Sequence, residues 1–243
     1  MSDQKSLLAD FRKNKVLARE ELSTKAVSLL KELSPIAIHQ FGSGGRKEQD
    51  EFSDTDLFVT VADSDFEQIV QQRLSTYKSI APIILRLFQT EPNKAGWFHD
   101  LIIFEHKKSL VHFDLYITPQ SKVVLPPHSI LIFGEDDLNR NGEWSVQGAD
   151  HSGHDLVDGI LAMSFIGIKG VIRKWDSGFF EWLTALYDSY VRDFNPELDK
   201  LPKAYDFSFF EAILKNMRNE GNAHQKMANK KIHAYLDEVR SLY

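Results

Sequence analysis

Four residues in one short stretch have the types and spacing for phosphate and metal chemistry: Gly42, Ser43, Asp54 and Asp56. The run Ile36-Ala37-Ile38-His39-Gln40-Phe41 alternates as a strand should and stops at Gly42-Ser43. Glycine permits a tight turn and lets a backbone amide approach a phosphate, and serine adds a hydroxyl donor. Arg46, in the same loop, can neutralise a phosphate oxygen. Ser53-Asp54-Thr55-Asp56-Leu57 then opens a second strand. Side chains at i and i+2 of a strand share a face, with Cα atoms about 7 Å apart. Two carboxylates facing the same way repel, and are at ease only in water or with a cation between them. Hard oxygen ligands with room for water and phosphate suit Mg²⁺ or Mn²⁺.

A third carboxylate lies in Leu110-Val111-His112-Phe113-Asp114-Leu115-Tyr116-Ile117, where His112, Asp114 and Tyr116 share one face. An acid in mid-strand is costly to bury without a partner. If this strand lies beside that of Asp54 and Asp56, all three acids converge. Other polar groups carry weaker patterns. His99 and Asp100 begin a strand with Trp97, but a zinc site needs further ligands at defined spacing and the sequence shows none. His151 and His154 read as polar loop and helix-start residues. There is no cysteine, which excludes disulfides and cysteine-ligated zinc.

Gly42-Ser43, ten intervening residues, Asp54-Thr55-Asp56 and the distant strand acid Asp114 together resemble the signature of the DNA polymerase beta nucleotidyltransferase superfamily. Gly42-Ser43-Gly44-Gly45-Arg46 leading to Ser53-Asp54-Thr55-Asp56-Leu57 is similar to its small bacterial branch. That branch includes transferases acting on aminoglycoside or lincosamide antibiotics and the minimal enzymes of toxin–antitoxin pairs. The resemblance covers residues 36–120 motif by motif. Lys47 stands where the branch often has glycine, and Thr55 where it usually has an aliphatic residue.

The resemblance implies that Gly42 and Ser43 hold the phosphates of a nucleoside triphosphate, such as ATP, that Asp54 and Asp56 bind a pair of Mg²⁺ (or Mn²⁺) ions, and that Asp114 binds the ion nearer the acceptor and helps deprotonate its hydroxyl. It implies in-line attack on the α-phosphorus with pyrophosphate leaving, driven by positioning and charge neutralisation. It also suggests that Lys169 and Arg173, four apart on a helix, reach the triphosphate. A solvated basic face is the alternative reading of that pair.

These residues need elements to hold them. Helical spacing covers 4–33, with Leu7, Leu8, Phe11, Val16, Leu17, Leu22, Ala26, Leu29, Leu30 and Leu33 as its apolar positions. Strands are expected at 36–41, 56–61, 83–90, 97–104, 110–117 and 130–133, with a helix over 63–79. After Gly148 only helix-like runs remain, at 154–175, 179–194, 206–217 and 229–242. The expected fold is α+β: a nucleotidyltransferase domain over 1–145, with a mixed sheet flanked by helices, then an all-helical bundle over 146–243 that binds substrate or nucleotide.

The helical half says least about chemistry. Trp175, Phe179, Phe180, Trp182 and Tyr187 read mainly as bundle core. Glu181, Asp155 and Asp158 are candidates for a general base, with surface acids as the default. Arg218-Asn219 followed by His224 resembles the Arg-Asn…His motif of HEPN-type ribonucleases, although Gly221 and Asn222 suggest a loop there.

The 243 residues carry a net charge of −6, which gives no whole-molecule attraction to nucleic acid. The N-terminus has no basic-then-apolar signal pattern, and no apolar run reaches membrane-spanning length, so a cytoplasmic protein is expected. The leading expectation is transfer of AMP to a hydroxyl of an aminoglycoside-like small molecule. The alternatives are an antitoxin-type enzyme that modifies a protein partner and a silent nucleotide-binding module.

Overall fold

The structure, a computed structural model, describes residues 2–93, 95–135, 137–138, 144 and 155–243. The chain forms two compact units: Leu8–Gly153, and Met1–Leu7 together with His154–Tyr243. The expected boundary at 145 and 146, like His151 and His154, lies outside the described residues.

The first unit is built on a six-stranded mixed sheet. Its strands are β1 (Ala37–Gln40), β2 (Thr55–Val61), β3 (Ile83–Phe88), β4 (Phe98–His106), β5 (Ser109–Pro119) and β6 (Ile130–Gly134). The spatial order is β3-β4-β5-β2-β1-β6. Among the described residues only β2 and β5 run parallel, with Asp56 level with Asp114 and Phe58 level with Tyr116. Adjacent pairs elsewhere are antiparallel. β4 and β5 join through Lys107 and Lys108, both at positive φ, which makes the expected hairpin.

One face of the sheet is closed by helices α1 (Ser2–Lys31) and α3 (Phe66–Ile80). From α1 it takes Ala18, Leu22, Ala26 and Leu30, each four residues apart and therefore in one row. They meet Leu57, Val59 and Val61 of β2 and Phe113, Leu115 and Ile117 of β5. Leu17, expected among the apolar positions, is off that row and 41% exposed. A buried ion pair sits on the same side: Arg73 of α3 donates to Asp100 at 2.9 Å, and Tyr77 donates to the same carboxylate at 3.1 Å.

The opposite face carries Phe41, Phe58, Trp97, Tyr116, Val123 and Leu125, joined by Trp144. With both faces covered, β2, β4 and β5 are buried almost throughout, and their sequences read as apolar runs rather than strict alternation.

The helical unit contains α4 (Leu156–Arg173), α5 (Ser177–Phe194), α6 (Phe207–Asn216) and α7 (Ala223–Leu242). Each begins at a side chain that accepts an N–H of its first turn: Asp155, Asp176, Asp206 and Asn222. Asn222 and Gln225 form a reciprocal capping box, so α7 starts at Ala223, inside the stretch expected to be a loop. Phe180 and Tyr187 lie in the core as the aromatic run predicts, joined there by Phe209 and Phe210, whereas Trp182 is 47% exposed. No helix of the described residues is long and apolar enough to cross a membrane.

Candidate metal centre

The stretch after β1 is not all loop. Gly42–Arg46 forms a single short turn of helix, α2, entered with Gly42 at φ +60°. A Cβ on Gly42 would lie 2.1 Å from Asp56 Oδ2, so the missing side chain is what lets that carboxylate lie against the turn. α2 ends at Lys47, which adopts φ +59° and gives its N–H to the Gly44 and Ser43 carbonyls. The Ser43 hydroxyl is buried and makes no hydrogen bond.

The segment leading into β2 is pinned to α1. Asp50 accepts N–H and O–H bonds from Phe52 and Ser53, Phe52 packs its ring 6.0 Å from that of Phe11, and Arg12 pairs with Glu51 at 2.7 Å. Thr55 is fully buried, and its hydroxyl lies 2.9 Å from the Ser23 hydroxyl. That bond anchors Thr55 to the helix side and leaves its strand neighbours, Asp54 and Asp56, directed to the other face.

There the parallel register places the acids together. Asp54, His112 and Asp114 each offer a ligand atom, and these atoms lie within 4.8 Å of one another. Asp56 stands level with Asp114 on the neighbouring strand. The imidazole of His112 lies between two of these carboxylates, with Nδ1 3.4 Å from Asp54 and Nε2 3.2 Å from Asp114. Neither contact is in line with an N–H, so they are charge contacts rather than hydrogen bonds. The second oxygen of Asp114 accepts a 2.7 Å hydrogen bond from His99 Nε2. His99 is itself fixed: its backbone N–H donates to Gln89 Oε1 at 2.8 Å, and its ring stacks on Tyr116 with centroids 4.3 Å apart.

The electrostatics follow from this crowding. Burial works against a charged His112, but Asp114 and Asp54 outweigh it and hold its pKa up to about 9. Burial likewise works against a charged Asp114, and His112 and His99 outweigh it, leaving that carboxyl well below its ordinary value. An acid held so low is a poor base and a good ligand for a cation. Burial, then the charges of Asp114, Asp56 and Asp54, push the Tyr116 phenol up, so it stays neutral beside them.

The structure thus brings together Asp54 and Asp114 with His112, and sets Asp56 level with Asp114 and against Gly42. The other expected residues have different settings. Arg46 is exposed and pairs with Glu48 at 2.7 Å. Lys169 and Arg173 lie on α4 of the helical unit; Lys169 is buried, its ammonium 5.9 Å from the centre of the Trp175 ring. Among the candidate bases, Asp155 caps α4 and Asp158 accepts from Gln225 at 3.0 Å, so both have structural tasks, while Glu181 is exposed. Arg218 lines a cavity of about 460 Å³ with Lys226, Lys230 and His233, and His224 is exposed in the first turn of α7.

Sequence reasoning missed His112 and His99 as members of the centre. His112 carried a usable signal, since it stands two residues before Asp114 on the same face. His99 carried none, because its approach to Asp114 depends on the pairing of β4 with β5. The donor set fits a divalent cation: clustered carboxylates and buried imidazole nitrogens without aligned hydrogen bonds. No protein-family model matches the chain, and no curated protein matches it in sequence.

Proposed function

We propose that this chain is a metal-dependent nucleotidyltransferase that moves a nucleoside monophosphate, with ATP as donor, to a hydroxyl of a small molecule such as an aminoglycoside-like antibiotic. The observation that carries the reading is the register of β2 on β5. It sets Asp56 level with Asp114 and brings Asp54 to the same face, under a Gly42-Ser43 turn. Three carboxylates so placed are what the nucleotidyltransferase pattern in the sequence requires. Its two departures also find local reasons. Lys47 holds a left-handed conformation in which glycine is at ease, and Thr55 trades an aliphatic contact for the bond to Ser23.

Asp54, Asp56 and Asp114 would hold two cations, Mg²⁺ or Mn²⁺, and bound there the cations would neutralise charge on the transferring phosphoryl group. The Ser43 hydroxyl, buried without a partner, supplies a donor for a phosphate oxygen. The Gly42 turn keeps Cβ atoms away from Asp56. In the reaction the acceptor oxygen forms a bond to the α-phosphorus, the bond from that phosphorus to the bridging oxygen breaks, pyrophosphate leaves, and the hydroxyl proton passes to water. The side chains orient and neutralise; none forms a covalent intermediate.

The test is release of pyrophosphate from ATP by purified protein with Mg²⁺ or Mn²⁺, across a panel of aminoglycoside and related acceptors. Asp54→Asn and Asp56→Asn are expected to lower turnover at least about 1,000-fold, as loss of about 4 kcal/mol of transition-state stabilisation would. Unchanged turnover in both variants sinks the proposal. One observation favours a second reading, a silent nucleotide-binding module: His112 already neutralises Asp54 and Asp114. Tight nucleotide binding by calorimetry, with no pyrophosphate released on any small-molecule or protein acceptor, would select it.

A further inference from the structure

Three carboxylates alone would make an all-oxygen site, and the centre on β2 and β5 is not one. The His112 side chain is only 7% exposed, and its ring lies at 3.4 Å from Asp54 and 3.2 Å from Asp114. Both of its nitrogens are buried without an aligned hydrogen bond. The two carboxylates hold the ring through charge contacts without aligned hydrogen bonds, and a cation placed among them would satisfy a ring nitrogen and both acids at once. A cation bound here displaces the proton that Asp54 and Asp114 hold on His112, and the neutral imidazole so formed is a strong ligand for first-row transition metals. Mg²⁺ instead takes oxygen ligands in near-ideal octahedral geometry and keeps several waters.

His99 adds selectivity of a second kind. Its Nε2–H occupies Asp114 Oδ1 at 2.7 Å, which leaves Oδ2, the oxygen facing His112, to bind a cation. Partners of this sort fix the orientation of a ligating carboxylate and tune its affinity. The Gln89 bond and the Tyr116 ring hold His99 in turn.

We infer that Asp54, His112 and Asp114 form a mixed imidazole–carboxylate site for one divalent transition-series cation of the Mn²⁺, Co²⁺ or Zn²⁺ kind, bound in preference to Mg²⁺, with His99 as a positioning residue for Asp114. This names one of the two cations of the nucleotidyl-transfer reading, the one held in the absence of nucleotide, and rests on that reading only for the purpose of the site. Metal binding itself is read without turnover.

The experiment uses the full chain, stripped with chelator and free of nucleotide, and Co²⁺ as the probe. Visible d–d bands report nitrogen ligation and stoichiometry, and displacement by Mn²⁺, Zn²⁺ and Mg²⁺ reports selectivity. The expected result is one Co²⁺ per chain, displaced by Mn²⁺ or Zn²⁺ but resisting Mg²⁺ at on the order of 100-fold excess. His112→Ala loses the bands. His112→Gln, which keeps a hard oxygen donor and similar bulk, loses the Co²⁺ preference while retaining Mg²⁺ binding, and covers the case in which the alanine variant does not fold. His99→Ala weakens Co²⁺ roughly 10–100-fold without moving the bands. Equal affinity of the wild type for Co²⁺ and Mg²⁺, absence of a Co²⁺ site, or bands unchanged in His112→Gln overturns the inference. A protein that binds Co²⁺ as described yet releases no pyrophosphate defeats the transferase reading and leaves this one standing.

Discussion

Gly42→Ala separates the geometry of the turn from everything inferred about its chemistry. The new Cβ would stand 2.1 Å from Asp56 Oδ2 and 2.8 Å from its Cγ, at a residue whose φ is +60°. Two costs follow. The left-handed backbone costs an alanine about 1–2 kcal/mol relative to glycine. The Asp56 carboxylate must also turn away into a poorer rotamer, at about 0.5–1.5 kcal/mol. Wild-type protein should therefore lose about 1.5–3.5 kcal/mol, and an Asp56→Ala background only the backbone part, about 1–2 kcal/mol. Equilibrium urea unfolding of the four proteins measures the difference as a coupling energy of about 1 kcal/mol. A coupling within about 0.3 kcal/mol of zero would refute the reasoning, because Asp56 would then not lie against the turn. The chemical consequence is separable: with Asp56 swung out, nucleotidyl transfer should fall about 100-fold, or about 2.7 kcal/mol in barrier, while the fold persists.

The remaining predictions concern stability. Burial pushes the Asp100 carboxyl from 3.8 up to about 6 against the pull of Arg73 and Tyr77, so the folded chain holds this proton more tightly than the unfolded chain. The contribution is fully present below pH 3.8 and is lost as pH rises through about 6, a span worth about 3 kcal/mol. Urea unfolding from about pH 4 to about pH 7.5 should show Asp100→Asn gaining on the wild type by up to that amount as pH rises; a pH-independent difference counts against it. Asn222→Ala removes the cap of α7 and should cost about 1 kcal/mol, read as faster amide exchange at His224 and Gln225, the two N–H groups Asn222 accepts. Unchanged exchange at those amides would show the box to be dispensable.

Local pattern carried much of this protein. The strand ending at Gly42, the shared face of Asp54 and Asp56, the mid-strand acid Asp114 and the helical second half are all legible, because strand and helix periods are properties of neighbouring residues. The Asn222 start of α7 was legible too, as an asparagine with Gln225 three residues on, but Gly221 beside it pointed to a loop. Period alone says which face a side chain takes, never which strand lies alongside. That Asp56 stands level with Asp114, that His112 comes between Asp54 and Asp114, and that His99 crosses from β4 to hold Asp114 were decided by long-range register. The outward pairing of Arg46 with Glu48, two residues on, is a local contact that strand and helix periods do not assign. The sequence determined that Asp54 and Asp56 share one face of a strand that follows a glycine turn, and that Asp114 sits in mid-strand. The tertiary structure decided that imidazoles would join them, because hydrogen bonds between strands distant in the chain set who meets whom.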